Sequence, residues 1–330
     1  HMAISGFSIA VVIPCYRVTT QIVDVIAQMP PSIDHIICID DGCPDGSGTH
    51  IEENISDPRV AVIRHKTNQG VGAAMVTGFS EALKTDAAIV VKIDGDGQMN
   101  PALVPRFVRP IIDCEADVTK GNRFFRSNYL HDMPRVRILG NAILSFMTKL
   151  SSGYWNVFDP NNGYIAIIAI HVDILRIMPL NLLSPRYFFE SDFLFRLYLE
   201  RAVVLDIPMK AVYGDEVSGL SVRKAILPFL VGNMRNVIKR ILYRYFLHDF
   251  NIATVQIILG TLLMSFGGIY GLAEWHSGEL ADKPATAGTV MLAGLPIILG
   301  FQLLLSALNF DIASIPDRVV HKLTPRDQDT

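Results

Sequence analysis

Two carboxylates one residue apart, Asp94 and Asp96, close the apolar run Val90-Val91-Lys92-Ile93 and are followed by Gly97 and Gln98. A buried parallel strand reads as such a run, and ligands of α/β sheets sit beyond the carboxyl ends of the strands. Asp94 and Asp96 are therefore expected to emerge together at a sheet edge, where Gly95 and Gly97 let a ligand approach the backbone closely. Two hard oxygen ligands plus the Gln98 carbonyl suit Mg²⁺ or Mn²⁺, ions that share their shell with substrate phosphates. A polar turn ahead of a helix starting near Pro101 would use the same residue types. A second apolar run, Ile36 to Ile39, also ends in carboxylates, Asp40 and Asp41. Acidic residues repeated at strand ends are costly unless a cation or a sugar hydroxyl meets them, which favours the metal.

The elements that must position these groups alternate along the chain. Ser8 to Pro14 reads as a first strand ended by its proline, and Thr19 to Met29 as a helix stopped by Pro30-Pro31. The strand Ile36 to Gly42 runs into the turn-rich Pro44-Asp45-Gly46-Ser47-Gly48, and Val60 to His65 forms a third strand. Asn68-Gln69-Gly70-Val71-Gly72 opens a helix through about Lys84, and the next strand delivers Asp94. Strands alternating with helices at this spacing predict a mostly parallel α/β sheet, with both acidic pairs on one edge. Further on come a short strand at Val118, a helix from Arg135 to Leu150, a helix carrying Phe193, Leu194, Leu197 and Tyr198, and strands near Val203 to Ile207 and Lys210 to Tyr213.

Half of the 330 residues are hydrophobic, and they are unevenly placed. Ile252 to Ala273 and Pro284 to Phe310 contain no charged residue, and about 20 apolar residues cross a bilayer core. Neither run holds an ionisable group, which argues against a transport role. Arg235, Lys239, Arg240 and Arg244 precede the first run; Arg318, Lys322 and Arg326 follow the second. The loop between holds Glu274, Glu279 and Asp282 against Lys283, so both flanks are expected on the cytoplasmic side of a cytoplasmic or inner membrane. Arg223 to Phe250 reads as an amphipathic connector suited to the membrane interface. Gly260, Gly267, Gly268 and Gly271 would allow close helix approach and a homo-oligomer. The expected organisation is a catalytic domain over 1–221, a connector over 222–250, a helical hairpin over 251–310 and a tail over 311–330. A net charge of −3 gives no field for nucleic acid. Cys15, Cys38, Cys43 and Cys114 lack zinc-site spacing and suit a reduced compartment. His1-Met2 reads as an expression remnant, and Ile9 to Ile13 is too short for a signal peptide.

Pro14-Cys15-Tyr16, Ile39-Asp40-Asp41-Gly42-Cys43-Pro44-Asp45-Gly46-Ser47, Asn68-Gln69-Gly70-Val71-Gly72-Ala73-Ala74 and Asp94-Gly95-Asp96-Gly97-Gln98 stand in the order seen in family-2 glycosyltransferases. The chain resembles in particular the dolichyl-phosphate mannosyltransferase-like polyprenyl-phosphate enzymes. That resemblance implies a GT-A (Rossmann-like) fold, a UDP- or GDP-linked sugar donor, a divalent cation and inversion at the sugar carbon. It places Pro14 and Tyr16 around the nucleotide base, Asp41 at base or ribose, and Asp94, Gly95 and Asp96 at the donor, with Asp94, Asp96 and Gln98 holding the metal.

Lys120-Gly121-Asn122-Arg123-Phe124 resembles the family's Gly-Ser-Arg segment, whose arginine lies among the phosphates. Arg137 and Asn141 share one helical face, at the spacing of an Arg and a Ser that grip the acceptor's phosphate in these enzymes; a solvated arginine is the plain alternative. Asp159-Pro160-Asn161-Asn162-Gly163-Tyr164 resembles an Asp-Pro-x-Ser-Gly-Phe segment. Glu190 and Asp192 stand where the family presents an acidic residue to the acceptor, and where carboxylates also cap a helix. Ser218 fits a Gly-x-Ser/Thr-Lys segment loosely, with Gly219 in the lysine's place. The catalytic candidates are thus Asp96, Arg123, Arg137, Asp159 and Asp192, and the acceptor candidates Arg137, Asn141 and Ser218. The expected reaction is transfer to a polyprenyl phosphate. Transfer to a hydroxyl of a lipid-linked sugar is the alternative, and a silent nucleotide-binding scaffold a third reading.

Overall fold

The computed structural model of the chain describes residues 6–122, 135–157, 168–186, 188–209 and 222–323. It divides into two compact units, one of residues 1–237 and 316–330 and one of residues 238–315.

The first unit is built on a seven-stranded sheet in the order β3-β2-β1-β4-β6-β5-β7. Its strands are β1 (Ile9–Cys15), β2 (His35–Asp40), β3 (Val60–Arg64), β4 (Ile89–Lys92), β5 (Val118–Asn122), β6 (Ile168–His171) and β7 (Val204–Pro208). The neighbours β3, β2, β1 and β4 run parallel, as do β5 and β7; β6 lies antiparallel to both β4 and β5. This is the expected mostly parallel α/β sheet. β1 does not end at its proline: Pro14 keeps register with Ile39, and the strand closes at Cys15. Pro14 carries no amide hydrogen, and the parallel ladder does not require one from every residue.

The helices α1 (Ile22–Ala27), α3 (Val71–Ala82), α4 (Val104–Ile112) and α5 (Arg135–Ser152) follow the apolar periodicity read from the sequence. Two more were not expected, α2 (Ser47–Asn54) and α6 (Val172–Ile177). α2 lay hidden behind the Pro-Asp-Gly turn that starts it. Apolar side chains of β1, β2 and β4 pack with Ile22, Val25 and Ile26 of α1 and with Val104, Phe107 and Val108 of α4 into one core. On α7 (Phe189–Leu199), Phe193 stacks against Phe79 of α3 at 5.9 Å. The first part of α8 (Val222–Ile241) also belongs to this unit: Asn233 accepts from Ser151 Oγ at 2.5 Å, and Gly232 leaves room for the Phe188 ring. The tail from Pro316 returns to the same unit, where the buried Asp117 accepts from the Val320 and His321 amides at 3.0 and 2.9 Å.

The second unit is a helical hairpin, α9 (Ile252–Leu280) and α10 (Ala287–Ala313), both long and apolar enough to cross a membrane. Gly260 meets the Gly300 carbonyl, and Gly267 the Ala293 carbonyl. Two of the glycines considered for an oligomer contact therefore serve the hairpin itself. Asp311, buried near the end of α10, accepts from Arg240 at 2.6 and 2.9 Å and from Tyr245 Oη at 2.5 Å. The charge that ends the second apolar run is thus compensated inside its own unit.

Candidate active site

The site is set by the strand order. Because β2 and β4 flank β1 and all three run parallel, Asp40-Asp41 and the Asp94–Gln98 turn leave the sheet on the same edge, on either side of Pro14 and Tyr16. Tyr16 is 41% exposed there, with the Arg17 guanidinium 5.6 Å over its ring. An aromatic face backed by a cation is a platform on which a planar base can stack. Arg17 adopts a positive φ of 58°, and its amide donates to Cys43 Sγ at 3.1 Å.

The two acidic pairs are treated differently. Asp40 Oδ1 accepts from the Cys43 amide and Oδ2 from the Gly48 amide, both at 2.8 Å, which ties down the start of α2. Asp41 Oδ1 accepts from the Gln69 amide at 2.9 Å and Oδ2 from the Gly70 amide at 2.8 Å. The His65 ring lies between Asp41 Oδ1 at 2.7 Å and Thr77 Oγ1 at 2.9 Å. Asp41 is buried and shapes the Asn68–Gly72 loop. Backbone amides, rather than a cation or a sugar hydroxyl, meet the strand-end carboxylates of this pair. Gly70, at φ 102°, packs so closely on the segment before α7 that a Cβ would lie 2.6 Å from the Pro185 carbonyl oxygen.

Asp94 and Asp96 have no such set of amides. Asp96 accepts from the Gln98 amide at 3.0 Å. Asp94 Oδ2 accepts from Lys92 Nζ at 3.2 Å, and Oδ1 lies 3.0 Å from the same nitrogen but off its hydrogen-bond directions. Oδ1 is left buried without a hydrogen bond. Burial pushes the Asp94 carboxyl up to about 7, with Lys92 opposing and Asp96 adding to the rise. Burial also raises Asp96. Both shifts describe carboxylates short of positive charge, and a divalent cation supplies it. The residues fit such an ion. Among the described residues no three His, Cys, Asp or Glu side chains form a cage; Mg²⁺ and Mn²⁺ commonly complete a two-carboxylate site with phosphate oxygens and water. Gly95 sits over the Ile22, Val18 and Ile13 side chains, 3.0–3.4 Å from where a Cβ would stand. A Cβ there would press on β1 and the start of α1, so packing beneath the turn favours glycine.

Lys92 carries no role in the sequence reading, and Glu190 only that of an acceptor-facing or helix-capping acid. Lys92 is 2% exposed, and its Nζ lies 3.6 Å from Glu190 Oε1 in the first turn of α7. Burial alone would lower this ammonium; Asp94 and Glu190 outweigh burial and hold it above the usual range. A lysine closing an otherwise apolar strand was the available signal.

Asp192, two residues along α7, is also buried. Its Oδ2 accepts from the Ser184 amide at 2.9 Å and its Oδ1 from Asn236 at 3.2 Å, with Arg196 Nε 3.6 Å away. Arg137 and Asn141 lie on α5 four residues apart. Arg123, Asp159 and Ser218 fall outside the described residues, as do Gly219 and the strand expected at 210–213.

The sheet order with its antiparallel β6, and an acidic turn beyond β4, define a GT-A nucleotide-sugar transferase fold. Glucosyl-3-phosphoglycerate synthase from Mycobacterium tuberculosis, in complex with Mn²⁺, UDP-glucose and phosphoglyceric acid, has this fold. It superposes with a TM-score of 0.53 at 19% identity over 72% of this chain and 81% of its own. Residues 10–169 match the family described as Glycosyl transferase family 2. A UDP-N-acetylglucosamine–dolichyl-phosphate N-acetylglucosaminyltransferase of Methanococcus voltae is 29% identical, over 63% of this chain and 86% of that protein. An uncharacterised protein of Methanocaldococcus jannaschii is 30% identical over 63% and 82%. A polyprenol monophosphomannose synthase of Mycolicibacterium smegmatis is 24% identical over 70% and 88%. The chain belongs to glycosyltransferase family 2 and is an enzyme of that class.

Proposed function

We propose that the protein is a membrane-anchored, inverting glycosyltransferase that moves a sugar from a UDP- or GDP-linked donor to a polyprenyl phosphate. The observation that carries this reading is the Asp94–Asp96 edge, where two carboxylates follow a central strand and one buried oxygen of Asp94 has no hydrogen bond. The names of the Methanococcus and Mycolicibacterium relatives supply the lipid-phosphate class. α9 and α10 would anchor the protein in the cytoplasmic or inner membrane, with the flanking cations placing the first unit on the cytoplasmic side.

Tyr16 and Pro14 would frame the base, while Asp94, Asp96 and Gln98 would hold Mg²⁺ or Mn²⁺ against the diphosphate. That ion, when bound, acts as a Lewis acid that neutralises the leaving group. Arg123 would contact the donor phosphates, and Arg137, Asn141 and Ser218 the acceptor phosphate. In the transfer, an oxygen of the lipid phosphate forms the new bond to the anomeric carbon as the bond to the diphosphate breaks. The acceptor is already ionised, so positioning matters more than proton abstraction. The surroundings of Asp192 support this. Its oxygens hold the Ser184 amide and Asn236, which suits a residue that braces α7 rather than one that takes a proton.

The test follows radiolabelled UDP- and GDP-sugars into the organic phase with saturating polyprenyl phosphate. Arg137→Ala forfeits a charge-assisted contact of roughly 1.5–3 kcal/mol and should slow transfer by about tenfold or more. Asp192→Asn should keep substantial activity. A dead Asp192→Asn beside a nearly normal Arg137→Ala would make the acceptor a sugar hydroxyl, because losing a general base costs about 10²–10⁴-fold.

A further inference from the structure

Lys92 stands in an unusual place for a cation. It closes β4 in the middle of the sheet, in register with Val12 of β1 on one side and Ile168 of β6 on the other. Burying an ammonium there is expensive unless opposite charge meets it. Three carboxylates do so. Asp94 is in contact, Glu190 is 3.6 Å away, and Asp96 adds its field from the same turn. Among the described residues one ammonium thus faces three carboxylates, so negative charge remains beyond what the lysine meets. A divalent cation offsets that excess.

We infer that Lys92 is a built-in counter-cation of the donor edge. It partly fills the charge deficit of Asp94 in the ion-free site and thereby holds the affinity for a free divalent cation down, so that the ion is retained only together with a nucleoside diphosphate. The contact geometry suits this role. Nζ donates to Oδ2 of Asp94 at 3.2 Å and also lies 3.0 Å from Oδ1, so the ammonium offsets the charge of both oxygens that an incoming cation would meet. Glu190 belongs to the same balance. By sharing the ammonium it weakens the hold of Lys92 on Asp94, and it couples the metal edge to α7. Lys92 is a positioning residue on this reading, since it is buried behind the carboxylates.

The inference rests on the proposed metal site, and opposite-signed variants test it. Binding of Mn²⁺ alone to the full-length, detergent-solubilised protein is read from loss of the free-ion electron paramagnetic resonance signal. Removing a positive charge favours a divalent cation twice as strongly as a competing proton. Lys92→Met should therefore bind Mn²⁺ tighter than the wild type by about tenfold or more. Glu190→Gln should bind it several-fold more weakly, and Lys92→Arg should stay near the wild type. A merely structural role would weaken binding in both Lys92→Met and Glu190→Gln, or leave both unchanged, and either result overturns the inference. If Lys92→Met does not fold, Lys92→Gln takes its place: tighter Mn²⁺ binding supports the balance, and unchanged or weaker binding defeats it. A wild type whose UDP and GDP binding ignores Mn²⁺ would defeat the metal reading itself, a result separate from these signs.

Discussion

Asp40-Asp41 and Asp94/Asp96 are the same chemistry at the ends of strands two apart in one sheet, and they do different work. The first pair is saturated by the amides of Cys43, Gly48, Gln69 and Gly70. The second keeps one amide, at Asp96, and one lysine, at Asp94. What separates them is where the following chain goes. After β2 it turns back at once, at Gly42 with φ 61°, and offers its own N–H groups to Asp40. The Asn68–Gly72 loop then arrives from β3 and offers two more to Asp41. After β4 the chain leaves in an open turn, and among the described residues only the Gln98 amide donates to a carboxylate of the pair. Carboxylates with amides build loops; carboxylates without them present charge.

Exchanging the chemistry of each pair tests that contrast. The largest effect is expected at the open pair. Asp96→Asn should cut sugar transfer by about 100-fold or more, several kcal/mol of lost charge stabilisation, with little change in the melting temperature of the solubilised protein. A fall in melting temperature matching the fall in activity would erase the distinction. Asp41→Ala comes next and should act the other way. Stranding the Gln69 and Gly70 amides costs roughly 1–3 kcal/mol each, so thermal unfolding should shift down markedly. Mn²⁺ binding, measured on the cold, folded protein, should survive. Asp40→Ala is the smallest, about 1–2 kcal/mol, since it loosens the start of one short helix. Should it abolish metal binding instead, the two pairs form one site.

The contrast also marks what the sequence could and could not convey. Alternating apolar strands and helices carried the sheet, its parallel half and the hairpin, because those patterns are local. β6 escaped notice because four residues make a weak pattern, and α2 because Pro44-Asp45-Gly46 signals a turn more strongly than the helix it opens. The role of Asp41 depends on donors nearly thirty residues away, and that of Lys92 on a glutamate in another helix. Spacing cannot reveal either. Motif order grouped Tyr16 with Asp94 and Asp96, and the parallel register of β1 and β4 carries these residues to one edge of the sheet. The glycines of the first span were legible as close contacts, although Gly260 and Gly267 use them within the chain.

The central claim is that the Asp94–Asp96 edge binds a nucleoside diphosphate through a divalent cation. Calorimetric titration of UDP, and then GDP, into the solubilised protein with Mn²⁺ and again with a chelator tests it most directly. One of the two nucleotides should bind with Mn²⁺, the chelator should abolish this binding, and a folded Asp96→Asn protein should show no Mn²⁺ enhancement. Equal affinity with and without Mn²⁺, or an unaltered Mn²⁺ enhancement in Asp96→Asn, would contradict it.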